Sequence, residues 1–166
     1  MQSLADTHIH TKYSGFDQVS FIPYPESFIE PAAVVGLAVK KGISVVCVTD
    51  HNSIEGAFKA KQEAGSFDGC EVDVVIGEEV STLDGELIGL FLNDHIPPGA
   101  SAEETIEEIH SQGGLAVAPH PYSVMFPSLG DMVFNLRLDG IEVFNSSQRD
   151  GISNAMAEKM ARTKGI

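Results

Sequence analysis

The stretch ISVVCVTDH, residues 43–51, determines the type of fold that this chain can adopt. Its centre is an unbroken apolar run that contains three β-branched valines, Val45, Val46 and Val48. A strand with one face in water alternates apolar and polar residues, whereas a continuous run is typical of a strand buried on both faces. The run ends in Asp50 and His51, so this buried strand carries polar side chains at its carboxyl end.

Helical patterns lie on both sides of this strand. EPAAVVGLAVKKG, residues 30–42, has Pro31 in its first turn and Gly42 just past its end, which are common start and stop signals for a helix. NSIEGAFKAKQEAG, residues 52–65, has Asn52 as a candidate N-cap. The order helix, buried strand, helix predicts a βα architecture with a parallel sheet.

The same alternation continues along the chain. Residues 3–9 and 72–82 read as strands, and ELIGLFL after the turn Asp84-Gly85 is expected to form a hairpin with the second of them. A capping box, Ser101 and Glu104, opens a helix over residues 101–114. LAVAPHP and DGIEVFN are two further strands, and residues 152–166 look helical. We expect a single α/β domain over residues 1–166 with a largely parallel sheet.

The charge balance restricts the possible partners. Ten Lys and Arg residues stand against 24 Asp and Glu residues, for a formal net charge of −14. Such a surface repels a phosphate backbone and argues against a long nucleic-acid duplex. It leaves room for a small phosphorylated substrate or a short oligonucleotide, because a bound cation reverses the field within a pocket.

Cysteine content and hydropathy suggest where the protein works. Cys47 lies in the apolar strand, Cys70 is the other cysteine, and two cysteines do not make a disulfide framework. No stretch approaches ~18 uninterrupted apolar residues, and the first residues do not resemble a signal peptide. We expect a cytoplasmic protein with no membrane partner and leave its oligomeric state open.

Potential metal ligands follow the predicted strands. In DTHIH, residues 6–10, Asp6, His8 and His10 alternate with Thr7 and Ile9, so on a strand they share one face. Each of these signals is weak alone, because a histidine or an acid at such a place is often a surface or cap residue. The carboxyl ends of parallel strands lie at one edge of the sheet, however, so these residues taken together predict a metal centre. The other members of the set are Asp50, His51, Glu79, His120 and Glu142.

The motifs DTHIHT, VTDHNS, GEEVST and APHP, in this order, closely resemble those of the polymerase and histidinol phosphatase (PHP) superfamily. The resemblance runs from Asp6 to the end of the chain. It implies a distorted (β/α)7 TIM-like barrel with two or three divalent metal ions, manganese, zinc or iron, in its mouth. It also implies hydrolysis of phosphate esters.

The resemblance assigns roles to individual residues. His8 and His10 would bind the first metal, Glu79 would bridge two metals, and His120 would bind the second. His51 would bind a further metal. Asp50 would orient the site, and Glu142 and Asn145 would line it.

Three departures from the family pattern bear on these roles. Many members have an acid soon after the HxH pair, where YSGFD here offers Asp17 in a shifted register. Many have a histidine where DGEL here has Glu86, an oxygen ligand that favours a harder metal such as Mn²⁺ or Fe over Zn²⁺. A closing Asp-x-His motif would lie beyond Ile166, so we expect a PHP-type domain that lacks its last strand or strands and is incomplete at its C-terminus.

These features together predict a metal-dependent phosphoesterase. A hydroxide bridging two metals would hydrolyse a phosphomonoester or a short nucleotide phosphodiester. Glu79, Asp50 and Arg149 would be catalytic, with Arg149 binding the phosphate group and Lys12 a second candidate for that contact.

Alternative functions remain open. One is an exonuclease, and another is a catalytically silent metal-binding PHP domain. An amidohydrolase acting on C–N bonds is a remote option, because no lysine on a predicted mid-chain strand could be its carbamylated ligand.

Several other residues receive structural interpretations. We expect Glu78 to be a solvated loop acid, His95 an exposed loop residue, and His110 a histidine near the end of a helix. Three phenylalanines are expected in the core: Phe126, Phe134 and Phe144.

Overall fold

The computed structural model describes residues 3–15, 27–66 and 71–166. Within these residues, six strands form one curled sheet in the order β1-β2-β3-β4-β5-β6. The strands are β1 Ala5–Ile9, β2 Val45–Val48, β3 Asp73–Ser81, β4 Glu86–Leu90, β5 Leu115–Ala118 and β6 Gly140–Ile141. The helices are α1 Pro31–Lys41, α2 Glu55–Ser66, α3 Ala102–Ser111 and α4 Ser153–Lys164, with a short 3₁₀-helix at Gly130–Phe134.

Strand β2 confirms the reading of the apolar run. It pairs in parallel with β1 on one side and with β3 on the other. Val46 and Val48 are almost completely buried in the main core, and Cys47 is buried in a smaller cluster on the opposite face. A strand covered on both faces needs apolar side chains at every position, which explains the lack of alternation.

Strand β4 reverses the direction of the sheet. The turn at Asp84-Gly85 forms the predicted hairpin, and β4 pairs antiparallel with both β3 and β5. Strand β6 then pairs in parallel with β5. The architecture of the described residues is therefore a mixed α/β half-barrel of six strands, in which the predicted βα repeat is interrupted at β4.

The ends of the helices follow local sequence signals, with one correction. Gly42 ends α1 in the left-handed conformation, with a φ of 68°, and Ser101 and Glu104 form the predicted capping box of α3. Asn52 was predicted to cap α2. Its side chain instead bonds the backbone and the hydroxyl of Ser81, so it joins the loop after β2 to the end of β3.

The core is built mainly from aliphatic side chains, and the expectation for the phenylalanines was wrong. Phe134 is 50% exposed and Phe144 is 73% exposed, while Phe126 is half-buried. None of the helices described here is long and apolar enough to cross a membrane. That residues 1–166 are one domain stays a prediction.

Candidate metal centre

Glu79 lies at the centre of four imidazoles. Its side chain is 1% exposed, and its Oε2 lies 2.9 Å from Nε2 of His8, 3.3 Å from Nε2 of His10 and 3.5 Å from Nε2 of His51. Its Oε1 lies 3.1 Å from Nε2 of His120. The structure therefore brings together the five residues that the sequence motifs single out most strongly.

The direction of the strands explains this convergence. His8 lies near the end of β1, His51 follows β2, and Glu79 lies near the end of β3, so parallel pairing places all three at one edge of the sheet. His120 follows β5 with a φ of 26°, a conformation that non-glycine residues seldom adopt. Such backbone strain is concentrated at functional sites.

A second buried carboxylate comes from the reversed strand. Glu86 is the first residue of β4 and pairs with Ser81 at the end of β3, so the reversal brings it to the same edge. Its side chain is 4% exposed. Its Oε1 lies 3.6 Å from Nδ1 of His51, and its Oε2 lies 3.9 Å from Nε2 of His120.

Glu142 contacts two of the site histidines, His8 through its ring and His120 through its backbone. Its Oε1 lies 3.1 Å from Nδ1 of His8, which leaves Nε2 of His8 facing Glu79. Its Oε2 accepts hydrogen bonds from the backbone N–H of His120, at 2.8 Å, and from the side chain of Asn145, at 3.0 Å. A carboxylate on the far nitrogen of a ligating histidine fixes the ring orientation and tautomer.

Ser14 has a similar position on the other side of the site, and the sequence reading missed it. Its Oγ lies 3.3 Å from Nδ1 of His10 and accepts the backbone N–H of His51 at 3.0 Å. A serine in a loop has no periodic pattern, so the sequence offered no signal for this contact.

Asp50 contacts the loop next to the site. It is fully buried and accepts hydrogen bonds from the backbone N–H of Thr11 and, at 2.6 Å, from the Thr11 hydroxyl. Thr11 directly follows His10, so Asp50 fixes the chain at the point where β1 leaves the site. Its assignment as a catalytic residue stays a prediction.

The predicted phosphate-binding cations lie further out. Arg149 is exposed and does not line the pocket around Glu79. Lys12 is exposed and pairs with Glu30 at 2.8 Å. Their contacts with substrate stay predictions, and Asp17 lies outside the described residues.

The interpretation of Glu78 was wrong. Its side chain is fully buried, on the opposite face of β3 from Glu79, and accepts hydrogen bonds from the backbone of Ile96 at 3.0 Å and from Nδ1 of His95 at 2.6 Å. His95 is exposed as expected but is fixed by this contact. His110, in the last turn of α3, bonds Asp139 at 2.7 Å.

Comparison with known proteins gives no match to any family model. The chain is 54% identical over 153 residues to the uncharacterized protein MJ1587 of Methanocaldococcus jannaschii, an alignment that covers 92% of the chain and 88% of that protein. The chain belongs to the MJ1587 family. It is also 35% identical over 130 residues to the uncharacterized protein MJ0417 of the same organism, and this match covers 74% of the chain and 48% of MJ0417.

Two solved structures share the fold of this MJ1587-family chain. One, from Bifidobacterium adolescentis, is described as a "putative metal-dependent phosphoesterase"; it has a TM-score of 0.74 at 15% identity over 99% of this chain and 85% of that one. The other is an amidohydrolase from Chromobacterium violaceum with bound sulfate and no metal, with a TM-score of 0.72 at 15% identity over 99% and 84%. At this identity the likeness establishes the fold.

The electrostatics of the site are those of buried ion pairs. Burial alone would lower the pKa of His8, but the charge of Glu79 and hydrogen bonds with Glu142 and Glu79 raise it well above its usual value. Burial alone would raise the pKa of Glu79, yet the neighbouring imidazoles hold it well below its ordinary range. The pKa of Glu142 is lowered in the same way, mainly by His8. In this family member each imidazole and each carboxylate therefore stabilises the charged form of its partner.

The donor set of this MJ1587-family chain fits divalent metal ions. Two groups of three donor atoms each lie within 4.8 Å of one another, His8 with His10 and Glu79, and His51 with Glu79 and Glu86. Nδ1 of His120 is buried and has no hydrogen-bond partner among the described residues. Imidazole and carboxylate groups are the usual ligands of zinc, iron and manganese.

The site opens into a pocket of about 400 Å³. Its rim combines apolar and polar side chains: Phe126 and Phe144 with Asn145, Ser146 and Ser147.

Proposed function

We propose that this chain is a metal-dependent phosphoesterase of the PHP superfamily that works with two or three divalent ions, manganese, zinc or iron. The observation that carries the proposal is the position of Glu79, whose two carboxylate oxygens contact four imidazoles from three separate parts of the sheet. A carboxylate shared in this way is suited to bridge two cations. Both sequence relatives are uncharacterized, so the proposal depends on the site.

The charges of the site favour cations and then an anionic substrate. Glu79, Glu86 and Glu142 all face the pocket, and three carboxylates, two of them buried, would repel a phosphate group on their own. Bound divalent ions would reverse this field, activate a water molecule as nucleophile and neutralise the phosphoryl oxygens. Glu142 and Ser14 would keep His8 and His10 correctly oriented.

The structural neighbours support a hydrolase that acts on phosphate esters. One is described as a phosphoesterase, and the amidohydrolase carries sulfate, which has the tetrahedral shape and negative charge of phosphate. The name of the second neighbour makes C–N hydrolysis a second candidate. Among the described residues no lysine lines the pocket, so a carbamylated lysine has no candidate there, which favours the phosphoesterase.

The volume of the pocket and the net charge of the protein suggest the class of substrate. A pocket of about 400 Å³ suits a small phosphomonoester or the end of a short oligonucleotide. The net charge of −14 opposes binding of a long duplex.

The decisive experiment compares Glu79→Gln with the wild type after loading with Mn²⁺, Zn²⁺ or Fe²⁺. We expect the loss of nearly all turnover of p-nitrophenyl phosphate, nucleoside bisphosphates or short oligonucleotides, with the circular dichroism spectrum unchanged. Glu78→Gln is the matched control, because it removes the neighbouring buried carboxylate on the opposite face and should leave turnover unchanged. Wild-type turnover by the Glu79 variant would refute the bridging role.

Substrate preference separates the remaining functions. Turnover of oligonucleotides alone would favour the exonuclease, and turnover of amides alone would favour the amidohydrolase. Tight metal binding without turnover of any ester or amide would favour a silent metal-binding domain.

A further inference from the structure

The two groups of candidate ligands differ in their chemistry. We call His8, His10 and Glu79 the first centre and His51, Glu79 and Glu86 the second centre. The first centre offers two imidazoles and one carboxylate, whereas the second offers one imidazole and two carboxylates. The difference comes from Glu86, the residue that the reversed strand β4 brings to the site.

Glu142 does not give the first centre a second carboxylate ligand. It contacts a residue of the first centre, but its Oε1 is engaged by Nδ1 of His8. Its Oε2 is engaged by the backbone of His120 and by Asn145. Glu142 therefore orients His8, and the carboxylate within the three-residue group of the first centre is that of Glu79.

Counting His120 as a ligand also leaves the two centres with different numbers of carboxylates. Its Nε2 lies 3.1 Å from Oε1 of Glu79 and 3.9 Å from Oε2 of Glu86, between the two carboxylates of the second centre. With His120 included, the second centre has two imidazoles and two carboxylates. It still has one carboxylate more than the first centre. The side chain of Glu86 is 4% exposed, so solvent ions screen its charge only weakly.

Ligand chemistry then predicts unequal metal preferences. Imidazole suits zinc and iron, whereas carboxylate oxygens suit manganese and magnesium. Building on the proposed function, we propose that the two centres discriminate between metals: the first prefers Zn²⁺ or Fe²⁺, and Glu86 shifts the second towards Mn²⁺. The protein would then hold a mixed pair of ions where both metals are present.

The test is a competition between two metals, measured without reference to activity. Chelator-treated protein is loaded with Mn²⁺ and titrated with Zn²⁺, while electron paramagnetic resonance follows released aqueous Mn²⁺ and elemental analysis counts both metals. We expect two release steps separated by about 10-fold or more in free Zn²⁺, the factor by which a single group near a metal commonly alters affinity. Release of both ions in one step would overturn the proposal.

Two variants connect the second step with Glu86. In Glu86→His the second centre gains an imidazole, so its release step should move at least about 10-fold towards lower Zn²⁺ and merge with the first. Glu86→Gln keeps the volume of the side chain and removes its charge, so the second centre should lose Mn²⁺ affinity while the first is unchanged. Circular dichroism and the melting temperature confirm folding, and Glu78→Gln should titrate like the wild type.

The outcomes separate this proposal from the proposed function. Two bound ions whose release is the same in Glu86→His, Glu86→Gln and the wild type would refute the role of Glu86 and leave a dinuclear phosphoesterase intact. Protein that binds none of Mn²⁺, Zn²⁺ and Fe²⁺ would refute both proposals.

Discussion

Gly56, in the first turn of α2, lies against the contact that holds the end of β1. A Cβ atom added at this position would overlap Oδ2 of Asp50 and Oγ1 of Thr11. Both groups are completely buried and hydrogen-bonded to each other, so neither can move aside into solvent. Gly56→Ala should therefore either displace α2 or break the contact between Asp50 and Thr11.

The size of the effect follows from the bonds at risk. Asp50 accepts two hydrogen bonds from Thr11, and the loss of a buried hydrogen bond costs about 1–3 kcal/mol. Alanine is favoured over glycine in a helix by about 0.5–1 kcal/mol, which offsets part of the loss. Gly56→Ala should thus lower the free energy of unfolding by about 1–5 kcal/mol. For a domain of this size that corresponds to a decrease of roughly 2–20 °C in the melting temperature.

Gly36→Ala in α1 is the matched control. It makes the same substitution within a helix, but nothing lies within 4 Å of the added Cβ. We expect it to raise the melting temperature by about 1–4 °C. Thermal and urea denaturation followed by circular dichroism measure both variants. Because Thr11 follows His10, Gly56→Ala should also weaken Zn²⁺ binding in a calorimetric titration. Equal stability of the two variants would refute the close packing of Asp50, Thr11 and Gly56.

Three further predictions concern residues outside the metal centre. The ammonium group of Lys164 donates to three backbone carbonyls at the end of the 3₁₀-helix. Lys164→Met should therefore lower the free energy of unfolding by about 1–3 kcal/mol in urea titrations, and an unchanged midpoint would contradict this. Burial raises the pKa of the Cys47 thiol from an ordinary value of 9.0 to about 11. In a Cys70→Ser background its reaction with a thiol reagent at pH 8 should therefore be about 100-fold slower in folded than in unfolded protein, because the thiolate fraction falls by that factor, and equal rates would refute its burial. Although burial opposes it, hydrogen bonds from the backbone and from His110 lower the pKa of Asp139; the stability that this carboxylate contributes is present above about pH 3.9 and is lost as the pH falls through the lowered pKa. The difference in melting temperature between the wild type and Asp139→Asn should therefore shrink in acid, and a difference that does not depend on pH would exclude this cause.

Local patterns in the sequence predicted most of the elements. The apolar run of β2, the capping box of α3 and the turn at Asp84-Gly85 each depend on neighbouring residues, and each was confirmed. The extent of the last strand was not predictable: DGIEVFN suggested a full strand, whereas β6 is Gly140–Ile141. Its length depends on pairing with β5, which is distant in sequence.

The errors at single residues have the same origin. Glu78 and Glu79 are adjacent acids on one strand, so the pleat places them on opposite faces, but the sequence does not show what covers each face. The face of Glu78 is covered by His95 and Ile96, which come from the segment between β4 and α3. Phe144 was expected in the core because of its hydrophobicity. It lies at the mouth of the pocket, where no element covers it among the described residues.

The metal centre and the half-barrel depend on each other. Strands β1 and β6 are the two edges of the sheet and do not pair with each other in the described residues. In the site they are connected by the contact between His8, in β1, and Glu142, the residue after β6, which lie 134 residues apart in the chain. A cation bound by His8 would therefore fix the first strand to residues supplied by β3, and Glu142 would extend that link to the end of β6. A ligand that binds the folded state alone stabilises that state by mass action. Loading the site with metal should therefore raise the free energy of unfolding, because the ion would connect β1 to β3 and, through Glu142, to the end of β6, two edges that backbone hydrogen bonds do not join among the described residues.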